Sequence, residues 1–313
     1  MATPDYTIHG VQHFGWNNAL EPVHRAAPGA VIEFEAVDAS GGQLSRQSGL
    51  DDVVNLDFAK VNPVTGPVYI EGAEPGDVVK ITMLEFKPSG WGWTAVIPGF
   101  GLLADRFADP ALHIWEYDAS CGEPAAYLKG IKVPLKPFPG TVGLAPAEAG
   151  EQSVVNPRRV GGNMDTRDLA EGSVLYLPVE VPGGLLSIGD AHAAQGDGEV
   201  CGTAIESPMR VVVRLDLIKG MSLNFPRFTT PGPVTRHLDD AGYEVTMGVG
   251  PDLMNAARCA VGDMVDFLAA QAGLSPAEAY MLSSVCGDLR ISEIVDAPNW
   301  IVSFYLPRKV LGG

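Results

Sequence analysis

Alternation of apolar and polar side chains dominates the first 250 residues. Met209, Val211, Val213, Leu215 and Leu217 sit two apart, the period of a strand with one face buried. Leu185, Leu186 and Ile188 form a shorter apolar run of the same kind. A turn-then-strand phrase recurs in APGAVIEFEAVDAS at 27–40, EPGDVVKITMLEF at 74–86 and AEGSVLYLPVEV at 170–181. In each, glycine makes the turn and valine or isoleucine enters the strand. The period changes after Gly250. Leu253, Ala257, Val261, Met264, Val265 and Leu268 fall at helical spacing behind Pro251-Asp252, and Gly273 ends the run. Ser275-Pro276-Ala277-Glu278 reads as a capping box for a second helix over 276–284. Trp300, Val302, Phe304 and Leu306 alternate as a closing strand.

The predicted fold is therefore mainly β, a sandwich or distorted barrel with a hint of internal duplication, and with a helical pair near the end of the chain. It is α+β overall. The proline-rich segment 133–157 marks a boundary between a β-rich half at 1–150 and a second β-rich half at 151–313 that carries the helices at about 251–284.

Composition narrows the function. A hydrophobic fraction of 46% with 8% aromatics is enough for a packed core. The 38 acidic against 21 basic residues give a net charge of −17, a field that repels nucleic acid and anionic membrane and is indifferent to a neutral ligand. The amino terminus lacks a basic start followed by an apolar stretch, and no run of about 18 apolar residues occurs, so the expected location is the cytoplasm. The four cysteines form no Cys-x-x-Cys pattern and are expected to be reduced.

The densest polar chemistry lies in GGLLSIGDAHAAQGDGEVCGTAIE at 183–206, where six glycines accompany Asp190, His192, Gln195, Asp197 and Glu199 between two apolar strands. On an extended chain Asp190 and His192 leave the same face. Carboxylate and imidazole with a further acid suit zinc, manganese or calcium. A solvated glycine turn with its acids facing water is the competing reading. NPRRVGGNMDTRDL at 156–169 again sets glycine before an acid. Asp165 and Asp168 offer a metal ligand and a turn or helix-start carboxylate, and Asn163 offers an amide donor and acceptor. An Asx-type turn joined to an Arg-Asp surface network accounts for the same residues without a ligand.

These two blocks, with VNPVTGPVYIEGAEPGD at 61–77, GFGLLAD at 99–105, FPRFTTPGPVT at 225–235 and NWIVSFYLPR at 299–308, resemble the acetamidase/formamidase family over nearly the whole chain. The resemblance implies a cytoplasmic, mainly β, oligomeric hydrolase that releases ammonia from short neutral amides and uses a divalent metal, zinc foremost. It carries over Asp165, Asp190 and His192 as ligands and Glu199 as the base, with Asn163, Gln195 and His13 at the substrate. In HFGWNN, Asn17 stands where the family pattern has an acid, which would make it a weaker metal ligand there.

Other residues read as structural. Trp91 and Trp93 share a face and either roof a small apolar-walled pocket or pack in a core or interface. His24, His113 and His237 have no acidic or histidine partner at ligand spacing. Cys201 is the nucleophile of a rival thiol amidase, but the acidic surroundings raise a thiol's pKa. A non-catalytic metal- or sugar-binding β module is the other rival.

Overall fold

The computed structural model describes residues 2–232, 234, 241–295 and 297–312, so His237 lies outside the described residues. Two six-stranded sheets form the sandwich. One runs Tyr6–Ile8, Val31–Ala36, Met209–Ile218, Val78–Pro88, Val174–Pro178, Arg227–Thr229. The three turn-then-strand phrases are all in this sheet, two of them flanking the long strand Met209–Ile218. The other runs Gly161–Asn163, Phe138–Gly143, Leu186–His192, Val64–Ile70, Gln12–His13, with His24–Ala26 also beside Val64–Ile70. Both sheets take strands from either side of residue 150.

Alternation decides which side chains enter the space between the sheets. Ile32, Phe34, Ile81, Met83, Val211 and Val213 meet Val68, Ile70, Leu186 and Ile188 there, all fully buried. Burial of a large aliphatic or aromatic side chain contributes about 1.5–3 kcal/mol, so this layer fixes the register of both sheets.

The helical pair packs on a separate three-stranded sheet, Tyr243–Gly250, Trp300–Pro307, Asp288–Glu293. A short helix, α1, spans Leu50–Val54, and the two long helices are α2, Leu253–Ala272, and α3, Pro276–Cys286. Asp252 Oδ1 accepts from the Asn255 amide at 2.6 Å, and Gly273 ends α2 in the left-handed conformation, φ 64°. The Ser275/Glu278 capping box is formed in both directions, at 3.3 and 2.7 Å. The second helix runs two residues beyond the expected Ser284. Its residues from Ala279 to Cys286 are buried on all sides, so packing sustains it to the chain turn at Gly287.

Candidate active site

Two glycine-rich stretches meet at one end of the second sheet. The strand Leu186–His192 lies against Phe138–Gly143, with Phe138 opposite His192 and Thr141 opposite Gly189. Gly140 is where the two polar stretches touch. A Cβ at this position would come within 2.5 Å of Asp165 Oδ1 and 2.8 Å of the Asp190 carbonyl and of His192 Cε1, so only glycine leaves room for all three.

The extended Asp190-x-His192 pairing expected from sequence is modified. Asp190 has φ 49°, in the left-handed region, yet its Oδ1 stays 3.3 Å from His192 Nε2. Asp165 (φ 45°), Glu199 (φ 44°) and Asn62 (φ 48°) share that conformation, which makes four of the seven non-glycine residues with positive φ among the described residues. Each such residue costs about 1–3 kcal/mol unless its surroundings impose it, and their convergence on one place marks a functional site.

The surroundings do impose it. For the turn that carries Glu199, the scaffold is α3. Tyr280 Oη donates to the Val200 carbonyl and accepts from the Leu103 amide at 2.8 Å. Ser284 Oγ donates to the Thr203 carbonyl at 2.7 Å and accepts from the Cys201 amide at 3.1 Å, while the Ser284 carbonyl accepts from Gly196 N at 2.8 Å. For Asp190, Asn62 Nδ2 donates to Oδ2 at 3.2 Å and Thr141 Oγ1 lies 3.5 Å from the same oxygen.

A fourth acid completes the cluster. Glu206 stands opposite His192 in an antiparallel bridge, with Trp93 bridged to it on the other side, and its Oε2 lies 3.2 Å from His192 Nε2. Two triads with ligand-capable atoms within 4.8 Å of one another therefore share His192, one with Asp165 and Asp190 and one with Glu199 and Glu206. His192, Asp190 and Glu206 are 0%, 3% and 2% exposed. Among the described residues, the only basic group ion-paired to these four carboxylates is His192.

The electrostatics follow from that imbalance. Burial, then the charge of Asp190, pushes Asp165 up to about 7. Burial, then Asp165, holds Glu199 well above the usual carboxylate range, and burial likewise raises Glu206. Burial alone would lower His192, but Glu206 and Asp190 reverse this and raise it well above an ordinary imidazole. Asp165 Oδ1, His192 Nδ1, Glu206 Oε2 and Gln195 Oε1 are buried without hydrogen-bond partners. A crowd of buried acids with orphaned oxygens and one imidazole is a donor set that fits a divalent cation, which would replace the held protons as counter-charge.

Beside this cluster opens a cavity of about 240 Å³, onto which Asp190, Glu199, Glu206, Asn62, Asn163 and Thr203 face. Asn163 is at its wall, but its amide is engaged, accepting from Thr141 Oγ1 at 2.5 Å and donating to the Val155 carbonyl at 3.3 Å. Gln195 sits behind the wall and donates to the Asp165 carbonyl at 2.7 Å. His13 is outside the lining, held between Ser187 Oγ and the Gly15 carbonyl at 2.8 Å each, and burial lowers its pKa. Asn17 caps the Ala19 amide at 2.9 Å in an exposed turn. Trp93 lines the cavity and donates to Asp38 Oδ1 at 3.0 Å, whereas Trp91 packs beside it. Cys201 is fully buried behind the wall with Sγ near the Ala95 and Thr203 carbonyls, and burial raises its pKa.

Glu206, Asn62 and Thr141 are the members of this constellation that no sequence pattern singled out. For Glu206 one signal was present, an acid alone in the otherwise small and apolar segment Val200–Ile205 that precedes Ser207-Pro208.

The model of the Acetamidase/Formamidase family matches residues 7–152 and 147–312. The formamidase of Methylophilus methylotrophus is 28% identical over 96% of this chain and 89% of its own length. Among solved structures, a gamma lactamase from Delftia acidovorans superposes with a TM-score of 0.89 at 26% identity, covering 97% of this chain and 93% of that one. An acetamidase from Bacillus halodurans does so at 0.68 and 32% identity, covering 98% of each.

Proposed function

Because the chain belongs to the acetamidase/formamidase family, we propose that it hydrolyses short neutral amides to carboxylate and ammonia at the His192 cluster with the help of a divalent metal, zinc foremost. The observation that carries this reading is a set of four carboxylates around one imidazole, Asp190 and Glu206 buried and Asp165 and Glu199 half-buried, without a lysine or arginine partner among the described residues, beside a cavity. Asp165, Asp190 and His192 would hold the ion. When bound, it would polarise an amide carbonyl and make nearby water more acidic.

The chain's own residues supply the rest. Glu199, on the cavity wall, takes a proton from the attacking water as the water oxygen bonds to the carbonyl carbon. It keeps that proton and then hands it to the amide nitrogen, whose bond to carbon breaks as ammonia leaves. Asn163 faces the cavity and, with one N–H beyond its bond to the Val155 carbonyl, orients the amide, and Gln195 steadies Asp165 through its backbone. The absence of Lys, Arg and His from the cavity lining favours a neutral substrate over an anionic one.

A second reading, ring opening of a cyclic amide, is favoured by the higher TM-score with the Delftia acidovorans gamma lactamase. Thiol chemistry has weaker support, since Cys201 lies behind the wall with its proton held. The test is ammonia release from formamide and acetamide by the purified protein, beside ring opening of 2-pyrrolidinone, which yields no ammonia. Ammonia from either linear amide supports the main reading, ring opening alone supports the second, and no reaction with any of the three contradicts both.

A further inference from the structure

The cavity is larger and more apolar than formamide or acetamide needs. Leu56, Phe58, Val61, Trp93, Ile97 and Phe100 form its walls away from the acids. An apolar cavity of about 150 Å³ accommodates benzene. The 240 Å³ here therefore takes a ring-sized apolar group with space left for a carboxamide.

Two details show that this wall is built toward the acid cluster. Phe58 and Phe100 are 55% and 38% exposed, large aromatic surfaces left uncovered on one cavity. Phe100 also packs directly against the turn that carries Glu199. A Cβ on Gly202 (φ 89°) would lie 2.5 Å from the Phe100 ring, so glycine there admits the ring beside the acids. Formamide would leave these walls against water, whereas an apolar acyl group would cover them.

Resting on the hydrolysis reading above, we propose that the preferred substrate is a neutral amide with an apolar acyl group of about six to eight carbons, of the kind represented by hexanamide and phenylacetamide. The acyl group lies along Leu56, Phe58, Ile97 and Phe100 with the carboxamide toward Glu199.

The experiment measures kcat/KM for formamide, acetamide, butyramide, hexanamide and phenylacetamide, with calorimetric titration of hexanamide and acetamide run beside it. The expected rise is about fourfold per methylene up to hexanamide, and binding about 250-fold tighter for hexanamide than for acetamide, four methylenes shorter. Phe58→Ala, at an exposed position whose truncation spares the core, should lower the hexanamide-to-formamide ratio about tenfold with an unchanged melting temperature. Ile97→Trp, which fills the wall, should lower it further. A flat or falling series, equal affinity for the two titrated amides, or a ratio unmoved by Phe58→Ala would overturn the inference. Tight hexanamide binding without ammonia release would support it while contradicting hydrolysis.

Discussion

Two acid clusters sit side by side in this protein, both drawing on the same two polar stretches and one of them also on Asp288, and they meet the cost of burial in opposite ways. Asp165 and Arg167 are two residues apart, as are Gln195 and Asp197, yet each pair divides between the clusters. Arg167 is buried and forms a two-pronged contact with the buried Asp288, Nη1 to Oδ1 and Nη2 to Oδ2, the latter at 2.8 Å. The Asp197 amide donates to Asp288 Oδ1 at 3.2 Å, and the Asp197 side chain lies 3.4 Å from Arg167 Nε. Burial would lower the guanidinium's pKa, but Asp288 and Asp197 raise it instead, and with Arg290 Nη2 3.5 Å from Asp288 Oδ2 this cluster balances two acids with two cations. The His192 cluster has four carboxylates and one imidazole, and burial with mutual repulsion raises the pKa of Asp165, Glu199 and Glu206. The first arrangement ties the loop that carries Asp197 to the sheet of the helical pair. The second is left with more acid than base, the imbalance that the proposed cation would answer.

Mutation should separate the two. The largest change is expected from Glu199→Gln, which should cut turnover by about 10²–10⁴ by removing the proton carrier. The melting temperature should not fall, because one uncompensated acid has gone. Near-normal turnover in a folded, metal-loaded variant would remove Glu199 from its role. Asp288→Ala should have the reverse signature, destabilising the protein by about 3–5 kcal/mol because the buried Arg167 loses its two-pronged partner and keeps only the partly exposed Asp197. Chemical denaturation measures this. Combining Arg167→Met with Asp288→Leu should recover most of the loss. If that double variant stayed as unstable as the single one, the pair would be contributing more than charge balance.

How much of this was legible in the sequence depends on the range of the interaction. The helices were readable because Leu253 to Leu268 and the Ser275/Glu278 cap are local patterns, and the strand Met209–Ile218 because its apolar residues from Met209 to Leu217 recur two apart, with only Val212 adding an apolar residue on the other face before Ile218. Asp165, Asp190, His192 and Glu199 stood out as acids and a histidine flanked by glycine. Glu206 did not, because its partnership with His192 arises from an antiparallel bridge closed by residues fourteen apart through an irregular loop. The cavity wall was hidden for a similar reason. Leu56 and Phe58 lie in irregular chain around α1, where no period announces that they face Ile97 and Phe100. His13 was drawn to the site by its aromatic neighbours, but its hydrogen bonds hold it at the sheet edge.

The smallest effect belongs to Cys201→Ala. Its thiol keeps its proton in a buried, acidic setting, so turnover should change by less than about threefold. Abolished ammonia release in a folded Cys201→Ala protein would move the chemistry to the thiol.

The comparison of the two clusters rests on the claim that the His192 acids take their counter-charge from a divalent ion. Ammonia release from acetamide, or from whichever amide in the series is turned over best, should be measured with metal content on the same protein before chelation, after chelation and after restoring zinc, manganese or calcium singly. The expected result is a metal that co-purifies, activity lost with it, and activity regained with one of the three ions. Full activity in protein shown to be metal-free would contradict the claim and leave protons as the counter-charge of the cluster.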